Sequence, residues 1–173
     1  MSDVKLRKDL GMTPKTLSVD PSKCTGCKDC ERACAMKHTG ISNPGWSRVH
    51  IVQGDNDVGF YLPVTCQQCE DPPCLAACPN KAIYRDDELN RVMIRPNLCI
   101  GCQMCVSACP FGVMEFDSDR GLAFKCDLCD GSPECVRVCE PGALDYVEGN
   151  RLNHPHLRES AKRHYQAMRL MAV

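Results

Sequence analysis

Cysteine spacing constrains this chain more than any other feature of its sequence. Sixteen of the 173 residues are cysteine, and they fall into four groups of four. Groups one and three follow the spacing C-x2-C-x2-C-x3-C, whereas groups two and four keep its opening C-x2-C and its closing C-x3-C. A chain this rich in cysteine is cross-linked by disulfides or by metal. The groups are Cys24, Cys27, Cys30 and Cys34; Cys66, Cys69, Cys74 and Cys78; Cys99, Cys102, Cys105 and Cys109; and Cys126, Cys129, Cys135 and Cys139.

The spacing within a group favours iron–sulfur clusters over other uses of cysteine. Three cysteines at two-residue intervals can bind three corners of a [4Fe–4S] cube, and a fourth cysteine one turn further on points to a second cluster. Zinc sites usually combine two separated C-x2-C pairs. Disulfides are rare in the cytoplasm, where we expect the protein because residues 1–20 show no apolar signal core and no twin-arginine pair. Sixteen ligands therefore predict four [4Fe–4S] clusters.

The lengths of the connections predict which groups share clusters. Cys99 follows Cys78 by only 21 positions, enough for a strand, a turn and a strand. Groups two and three therefore form a compact ferredoxin unit, and groups one and four pair across it. The expected ligand sets are Cys24, Cys27, Cys30 and Cys139 for cluster 1; Cys126, Cys129, Cys135 and Cys34 for cluster 2; Cys66, Cys69, Cys74 and Cys109 for cluster 3; and Cys99, Cys102, Cys105 and Cys78 for cluster 4.

Short segments rich in β-branched and aromatic residues lie between the cysteine groups and predict strands. A short helix is expected after each cysteine run. The predicted fold class is α+β, with two nested bacterial-ferredoxin-like units in residues 16–148, an N-terminal extension in 1–15 and a C-terminal helical tail in 149–173. The expected strands cover residues 16–19, 48–52, 82–85, 91–95, 113–116, 122–125 and 143–147.

The chain from Thr16 to Val147 resembles the four-cluster polyferredoxin subunits that serve molybdenum and tungsten oxidoreductases, hydrogenases and formate dehydrogenases. The one-with-four and two-with-three pairing is also the pattern of that family. Only Asp130 to Glu134 separate the second and third cysteines of group four, which is similar to the small iron–sulfur subunits of tungsten aldehyde oxidoreductases. The matching stretches are VDPSKCTGCKDCERAC, TCQQCEDPPCLAACPNKAI, RPNLCIGCQMCVSACPFGVM and KCDLCDGSPECVRVCEPGAL.

The resemblance implies an electron-transfer subunit with no catalytic site of its own. It implies a large molybdopterin or tungstopterin catalytic subunit as partner, of the aldehyde oxidoreductase type, and a flavin- or NAD-linked subunit or a ferredoxin as second redox partner. The alternatives are a free-standing polyferredoxin carrier, a subunit of a hydrogenase, formate dehydrogenase or CO dehydrogenase, and a scaffolding or maturation protein. End-to-end self-association is a further expectation if both terminal clusters reach the surface.

Charge and hydropathy exclude two other classes of partner. The formal net charge of −1 argues against a nucleic-acid binder that relies on positive charge. No apolar run approaches the ~20 residues of a membrane span.

The residues outside the cysteine groups carry weaker predictions. Trp46 lies in the long connection 35–65 and is expected to fill an apolar gap in a packed loop, with a docking surface as the alternative. Because cysteine already supplies every iron ligand, the histidines are expected to be surface residues. The tail is expected to form a helix that packs on its own domain or docks on a partner. The histidines are His38, His50, His154, His156 and His164, and the apolar tail positions are Leu157, Ala161, Tyr165, Met168 and Met171.

Overall fold

The computed structural model describes residues 14–54, 59–86 and 88–149. All sixteen cysteines lie within these ranges. The predicted C-terminal helix, three of the five histidines and most of the N-terminal extension lie outside the described residues.

Eight short strands pair antiparallel in twos across the described residues. Three pairs are hairpins of neighbouring strands, β2–β3, β4–β5 and β6–β7. The fourth pair joins β1 to β8, so the two ends of the described chain lie side by side, with Leu17 opposite Tyr146. The strands are β1 (Lys15–Val19), β2 (Val49–Gln53), β3 (Tyr61–Thr65), β4 (Ile83–Asp86), β5 (Arg91–Ile94), β6 (Glu115–Asp117), β7 (Leu122–Phe124) and β8 (Leu144–Glu148).

A helix begins inside or beside each cysteine group. The first is the longest because its first turn carries acidic residues, its last turn carries basic ones, and Gly40 ends it at a φ of 73°. The third stops at Ala108, two residues before Pro110, as expected where proline disfavours helix in the residue that precedes it. The helices are α1 (Asp29–Thr39), α2 (Pro73–Ala76), α3 (Met104–Ala108) and α4 (Glu134–Arg137).

Two small apolar cores hold these elements, and cysteine side chains form part of both. One core contains Val49 and Leu144 together with Cys30 and Cys34 of group one and Cys135 of group four. The other contains Ile83, Val92 and Met114 with Cys105 of group three. The apolar cores are therefore built around the cysteines, as the scarcity of aliphatic residues requires.

The structure confirms a small mixed helix–strand fold of the ferredoxin type, and seven strands lie where the sequence predicts them, within two residues at each end. The sequence predicts no strand at β3, which contains Pro63, and proline within a strand is confined to edges, first positions and bulges. In the structure Pro63 faces Ile51, whose N–H donates to the Glu31 carboxylate at 2.6 Å and not to β3. Proline therefore costs this hairpin no ladder hydrogen bond.

Trp46 packs against Phe124 with ring centroids 6.1 Å apart, in agreement with the prediction that this residue is packed within its loop.

Within the described ranges, no helix combines the length and the apolarity that crossing a membrane requires.

Candidate metal centres

Three separate cavities are each lined by four cysteine thiols. Each cavity takes three cysteines from one group and one from another group. None of these thiols is oxidised to a disulfide, since all sixteen cysteines are free. The thiols are Cys24, Cys27, Cys30 and Cys139 in the first cavity; Cys66, Cys69, Cys74 and Cys109 in the second; and Cys99, Cys102, Cys105 and Cys78 in the third.

The remaining four thiols also lie close together, at the meeting of α1, α4 and the group-four loop. Burial first, and then the neighbouring Cys126, Cys34 and Cys129, raise the pKa of Cys135 far above its ordinary value. Cys34 likewise contributes to raising the pKa of Cys129. The structure thus packs Cys34, which belongs to group one, into the same apolar core as Cys135 of group four.

Glycine is required in the tight loops of groups one and three. Gly26 and Gly101 have φ values of 73° and 70°, in the left-handed region. A Cβ on Gly26 would lie 2.7 Å from the Tyr61 ring, and one on Gly101 would lie 2.8 Å from the Gly121 carbonyl oxygen. Because Gly26 and Gly101 have no side chain, the two loops can curve tightly enough to direct three thiols at one point.

The buried thiols of Cys30 and Cys74 hold their protons at neutral pH when no metal is bound. Burial raises the pKa of Cys74 to about 11 and that of Cys30 to about 12. A thiolate, not a thiol, binds iron. Loading of metal must therefore release protons, and bound iron offsets the cost of placing these charges in an apolar environment.

Backbone donors already point at two of the sulfurs. The Arg48 N–H donates to Cys34 Sγ and the Ala82 N–H donates to Cys78 Sγ, both at 3.3 Å. The buried Thr65 hydroxyl has no hydrogen-bond partner among the described residues, and this hydroxyl counteracts the effect of burial on the pKa of Cys126. Donors of this kind stabilise cluster-bound thiolates, so the donor set fits a [4Fe–4S] cluster.

The family comparisons agree with this chemistry. A family model described as "4Fe-4S dicluster domain" matches residues 58–149, more than half of the chain, and a second model with the same description matches residues 23–83. The protein belongs to the 4Fe–4S dicluster domain family.

Relatives of this dicluster protein include subunits of oxidoreductases and electron transport proteins. The polyferredoxin-like subunit of the aliphatic sulfonate oxidoreductase of Pyrococcus furiosus is 41% identical over 110 residues, covering 64% of this chain and 62% of the relative. A subunit of the anaerobic dimethyl sulfoxide reductase of Escherichia coli K12 is 34% identical over 120 residues, covering 63% and 58%. The electron transport protein HydN of the same organism is 37% identical over 131 residues, covering 63% and 72%.

The match spans less than two thirds of the length of the first two relatives. The prediction of an iron–sulfur electron-transfer protein related to oxidoreductase subunits is confirmed at this level.

The group-four loop of the dicluster protein is strained and is fastened by charged side chains. Leu128, Cys129 and Asp130 all have positive φ, at 60°, 45° and 54°, which costs energy for residues with a side chain. The Asp127 carboxylate accepts from the Cys129 N–H at 2.9 Å and from Arg48 Nη1 at 2.6 Å. Burial alone would raise the pKa of Asp127, but Arg48 and the Cys129 N–H hold it below its ordinary value, so this carboxylate is ionised.

A second arginine fastens the same loop from the other side. Arg91 is only 8% exposed and donates to the Asp127 carbonyl oxygen at 2.6 Å. It also pairs with Asp86 and Asp130, each at 2.8 Å. Arg48, Arg91 and Asp127 were not predicted from the sequence, because a contact between residues so far apart leaves no local pattern.

Two histidines correct the prediction that the histidines are surface residues. His38 Nε2 lies 3.7 Å from Cys129 Sγ and 3.6 Å from Asp127, and burial, with Arg48 second, lowers its pKa. His38, Asp127 and Cys129 are close enough to hold a metal ion, but Cys129 already belongs to the group-four thiols. The half-buried His50 pairs with Glu115, which raises its pKa.

A buried lysine lies between the second cavity and the group-four thiols. Lys125 is 5% exposed, lines the second cavity and donates to the Cys126 carbonyl oxygen at 2.8 Å and to Gln68 Oε1 at 3.3 Å. Its charge lowers the pKa of Cys74, against the larger effect of burial. Gln68, which also accepts from the Val92 N–H at 2.8 Å, carried no sequence signal.

Proposed function

We propose that this chain is a non-catalytic electron-transfer subunit that relays electrons through four [4Fe–4S] clusters. The observation that carries the proposal is the mixed origin of each thiol set, since a cavity with three thiols of one group and one of another matches the ligand pattern of paired cubanes. The proposed ligands are Cys24, Cys27, Cys30 and Cys139 for cluster 1; Cys34, Cys126, Cys129 and Cys135 for cluster 2; Cys66, Cys69, Cys74 and Cys109 for cluster 3; and Cys78, Cys99, Cys102 and Cys105 for cluster 4.

The positions of the thiols support a linear order from cluster 1 to cluster 4. Cys30 and Cys34 lie one turn apart on α1, so clusters 1 and 2 are neighbours. Lys125 lines the cavity of cluster 3 and directly precedes Cys126 of cluster 2 in the chain, which makes clusters 2 and 3 neighbours. Groups two and three exchange their fourth cysteines, which makes clusters 3 and 4 neighbours.

The two terminal sets are the ones that reach the surface. Of the sixteen cysteine residues, only Cys27 and Cys102 are exposed, and they belong to clusters 1 and 4. Electrons can therefore enter at one end of the molecule and leave at the other. The proposed cluster-binding domain is residues 16–148, with residues 1–15 and 149–173 as flanking segments.

The proposed partner is a large catalytic subunit with a molybdenum or tungsten cofactor, of the aldehyde oxidoreductase type. Support comes from the names of two relatives, which place them in a sulfonate oxidoreductase and a dimethyl sulfoxide reductase, and from the short connection within group four. A ferredoxin or a flavin- or NAD-linked subunit would be the second redox partner, in the cytoplasm. The name of a third relative, an electron transport protein, favours a free-standing carrier as the alternative.

Metal analysis of the protein purified without oxygen tests the proposal. We expect about sixteen iron and about sixteen acid-labile sulfide per chain, with negligible zinc. Stepwise reduction followed by electron paramagnetic resonance should resolve four magnetically interacting clusters. Iron near eight per chain, or stoichiometric zinc, would contradict the proposal.

A further inference from the structure

The loops of groups one and three have the same backbone but different side chains. In both loops the glycine two residues after the first cysteine has positive φ, and so does the residue before the helix, Lys28 at 62° and Gln103 at 59°. Both loops also carry the exposed cysteine residue of a terminal set, Cys27 or Cys102. Any difference in their side chains is therefore a difference in surface chemistry at equivalent places.

That difference is large. The residues after the first cysteine are Thr25 in group one and Ile100 in group three, and the first helical residues are Asp29 and Met104. Ile100 is 64% exposed and Met104 is 51% exposed. Large apolar side chains thus flank Cys102 in the group-three loop, whereas the equivalent positions around Cys27 carry polar and charged side chains.

The contrast extends over a longer segment of sequence. Residues 96–114 contain no aspartate, glutamate, lysine, arginine or histidine, whereas residues 20–37 contain seven charged side chains. Phe111, in the uncharged segment, is also exposed. Exposed apolar side chains without charges are typical of the core of a protein–protein interface, and charged loops are typical of surface in contact with water.

We propose that residues 96–114 around Cys102 form the docking surface for a redox subunit that stays bound to this chain. This inference rests on the proposed function, because the partner must carry its own redox cofactor for an electron to pass through the covered end. An apolar cover would also remove water from cluster 4 and strengthen every charge interaction there.

Charge argues against a second copy of this chain as the occupant. An oxidised cubane with four thiolates carries about −2, so four clusters add about −8 to the formal −1 of the chain. Two copies that met at this surface would bring two negatively charged clusters together in apolar surroundings, which is unfavourable. A different protein can meet the surface without that repulsion.

The experiment places lysines at equivalent positions in the two loops. The tagged full chain is expressed in its own cells and purified without oxygen as wild type, as Ile100→Lys/Met104→Lys, and as the matched control Thr25→Lys/Asp29→Lys. Three quantities are measured: iron per chain, the amount of co-purifying protein that carries a metal or flavin cofactor, and hydrogen exchange of residues 96–114. The co-purifying protein is measured after a wash in about 1 M NaCl, which screens charges within ~3 Å.

We expect the wild type and the control to retain a stoichiometric cofactor-bearing subunit, with slower exchange of residues 96–114 than in the separated chain. The Ile100→Lys/Met104→Lys chain should keep its iron and lose that subunit by at least about tenfold. If the charged variant also loses iron, Ile100→Gln/Met104→Gln is judged by the same criteria.

Four results would overturn the inference while leaving the proposed function intact: the patch variants retain the subunit; the retained protein carries no redox cofactor; the wild type purifies alone with its full iron; or sedimentation shows a dimer of this chain that the patch variants dissociate. Low iron in the wild type itself would instead count against the proposed function.

Discussion

Two regions of the molecule build the same kind of thiol set in different ways. The contiguous unit, residues 66–125, contains groups two and three and closes through its own hairpins, β4–β5 and β6–β7. The split unit, made of groups one and four, closes through β1 and β8, which lie at opposite ends of the described chain. Cysteine spacing therefore sets the geometry of a loop but not the distance along the chain over which its partner is found.

The difference in closure is accompanied by a difference in charge. In the split unit, Arg48 and Asp127 join segments 79 residues apart, and Arg91 joins the group-four loop to the contiguous unit. The contiguous unit has a 19-residue stretch, 96–114, without any charged side chain. In the split unit, ion pairs therefore join distant segments in addition to the β1–β8 strand pairing, whereas the contiguous unit has strand hairpins between its neighbouring segments.

The largest expected effect concerns the exchange of ligands within the contiguous unit. Cys78→Ser should destroy or convert cluster 4, which it shares with group three, and leave cluster 3 of its own group intact, because the fourth cysteine points to the neighbouring cluster. The matched change in the split unit, Cys34→Ser, should affect cluster 2 and spare cluster 1. Iron analysis and electron paramagnetic resonance of both variants distinguish these results. Loss of cluster 3 in the Cys78 variant would show that the groups do not exchange ligands.

The next effect tests the charged contacts of the split unit. Arg91→Met leaves Asp86 and the group-four loop without their common partner and should lower the free energy of unfolding by about 2–3 kcal/mol, less than for a fully enclosed pair because Asp130 is 82% exposed. Arg137→Met is the control, since that ion pair with Glu134 has a 71% exposed arginine and should contribute below about 1 kcal/mol. Denaturant-induced bleaching of the clusters measures both. Equal effects of the two changes would refute the special role of Arg91.

A smaller difference is expected between the equivalent glycines of the two units. Gly101→Ala should cost about 2 kcal/mol or more, because its Cβ meets a backbone oxygen that cannot rotate away. Gly26→Ala should cost less, since the Tyr61 ring that it meets is a side chain. Gly112→Ala, with positive φ but open space around it, isolates the backbone cost of about 1 kcal/mol. The thermal midpoint of cluster bleaching ranks the three, and a ranking with Gly26→Ala lowest in stability would contradict the steric argument.

The smallest effect is on redox potential rather than stability. Lys125→Met removes a buried positive charge between the proposed clusters 2 and 3 and should lower their potentials by tens of millivolts. Lys125→Arg should keep most of the wild-type potential. Lys28→Met, at the exposed end of the split unit, should shift cluster 1 less because water screens its charge. Potentiometric titration monitored by electron paramagnetic resonance compares the three variants. Equal potential shifts for Lys28→Met and Lys125→Met would contradict the claim that burial strengthens the effect of Lys125.

Much of this protein was predictable because its information is local. A C-x2-C-x2-C-x3-C run with glycine at its tight position specifies its own loop, and alternating β-branched residues specify most of the hairpins. The confirmed predictions, a ferredoxin-like fold and membership among iron–sulfur electron-transfer proteins, both follow from that local pattern. The four ligand sets and the count of four clusters remain predictions, although the cavities group the thiols in the expected way.

The sequence by itself determined the shape of each cysteine loop, because backbone freedom at Gly26 and Gly101 and the spacing of the thiols act within a few residues. Only the tertiary structure decided what surrounds those loops. Strand β3 tolerates Pro63 because the N–H of the opposite residue, Ile51, donates to Glu31. Gln68 can be buried because it accepts hydrogen bonds from Val92 and Lys125, which belong to other segments. Such contacts depend on how distant segments pack in the folded protein, and the local sequence around a side chain does not specify that packing.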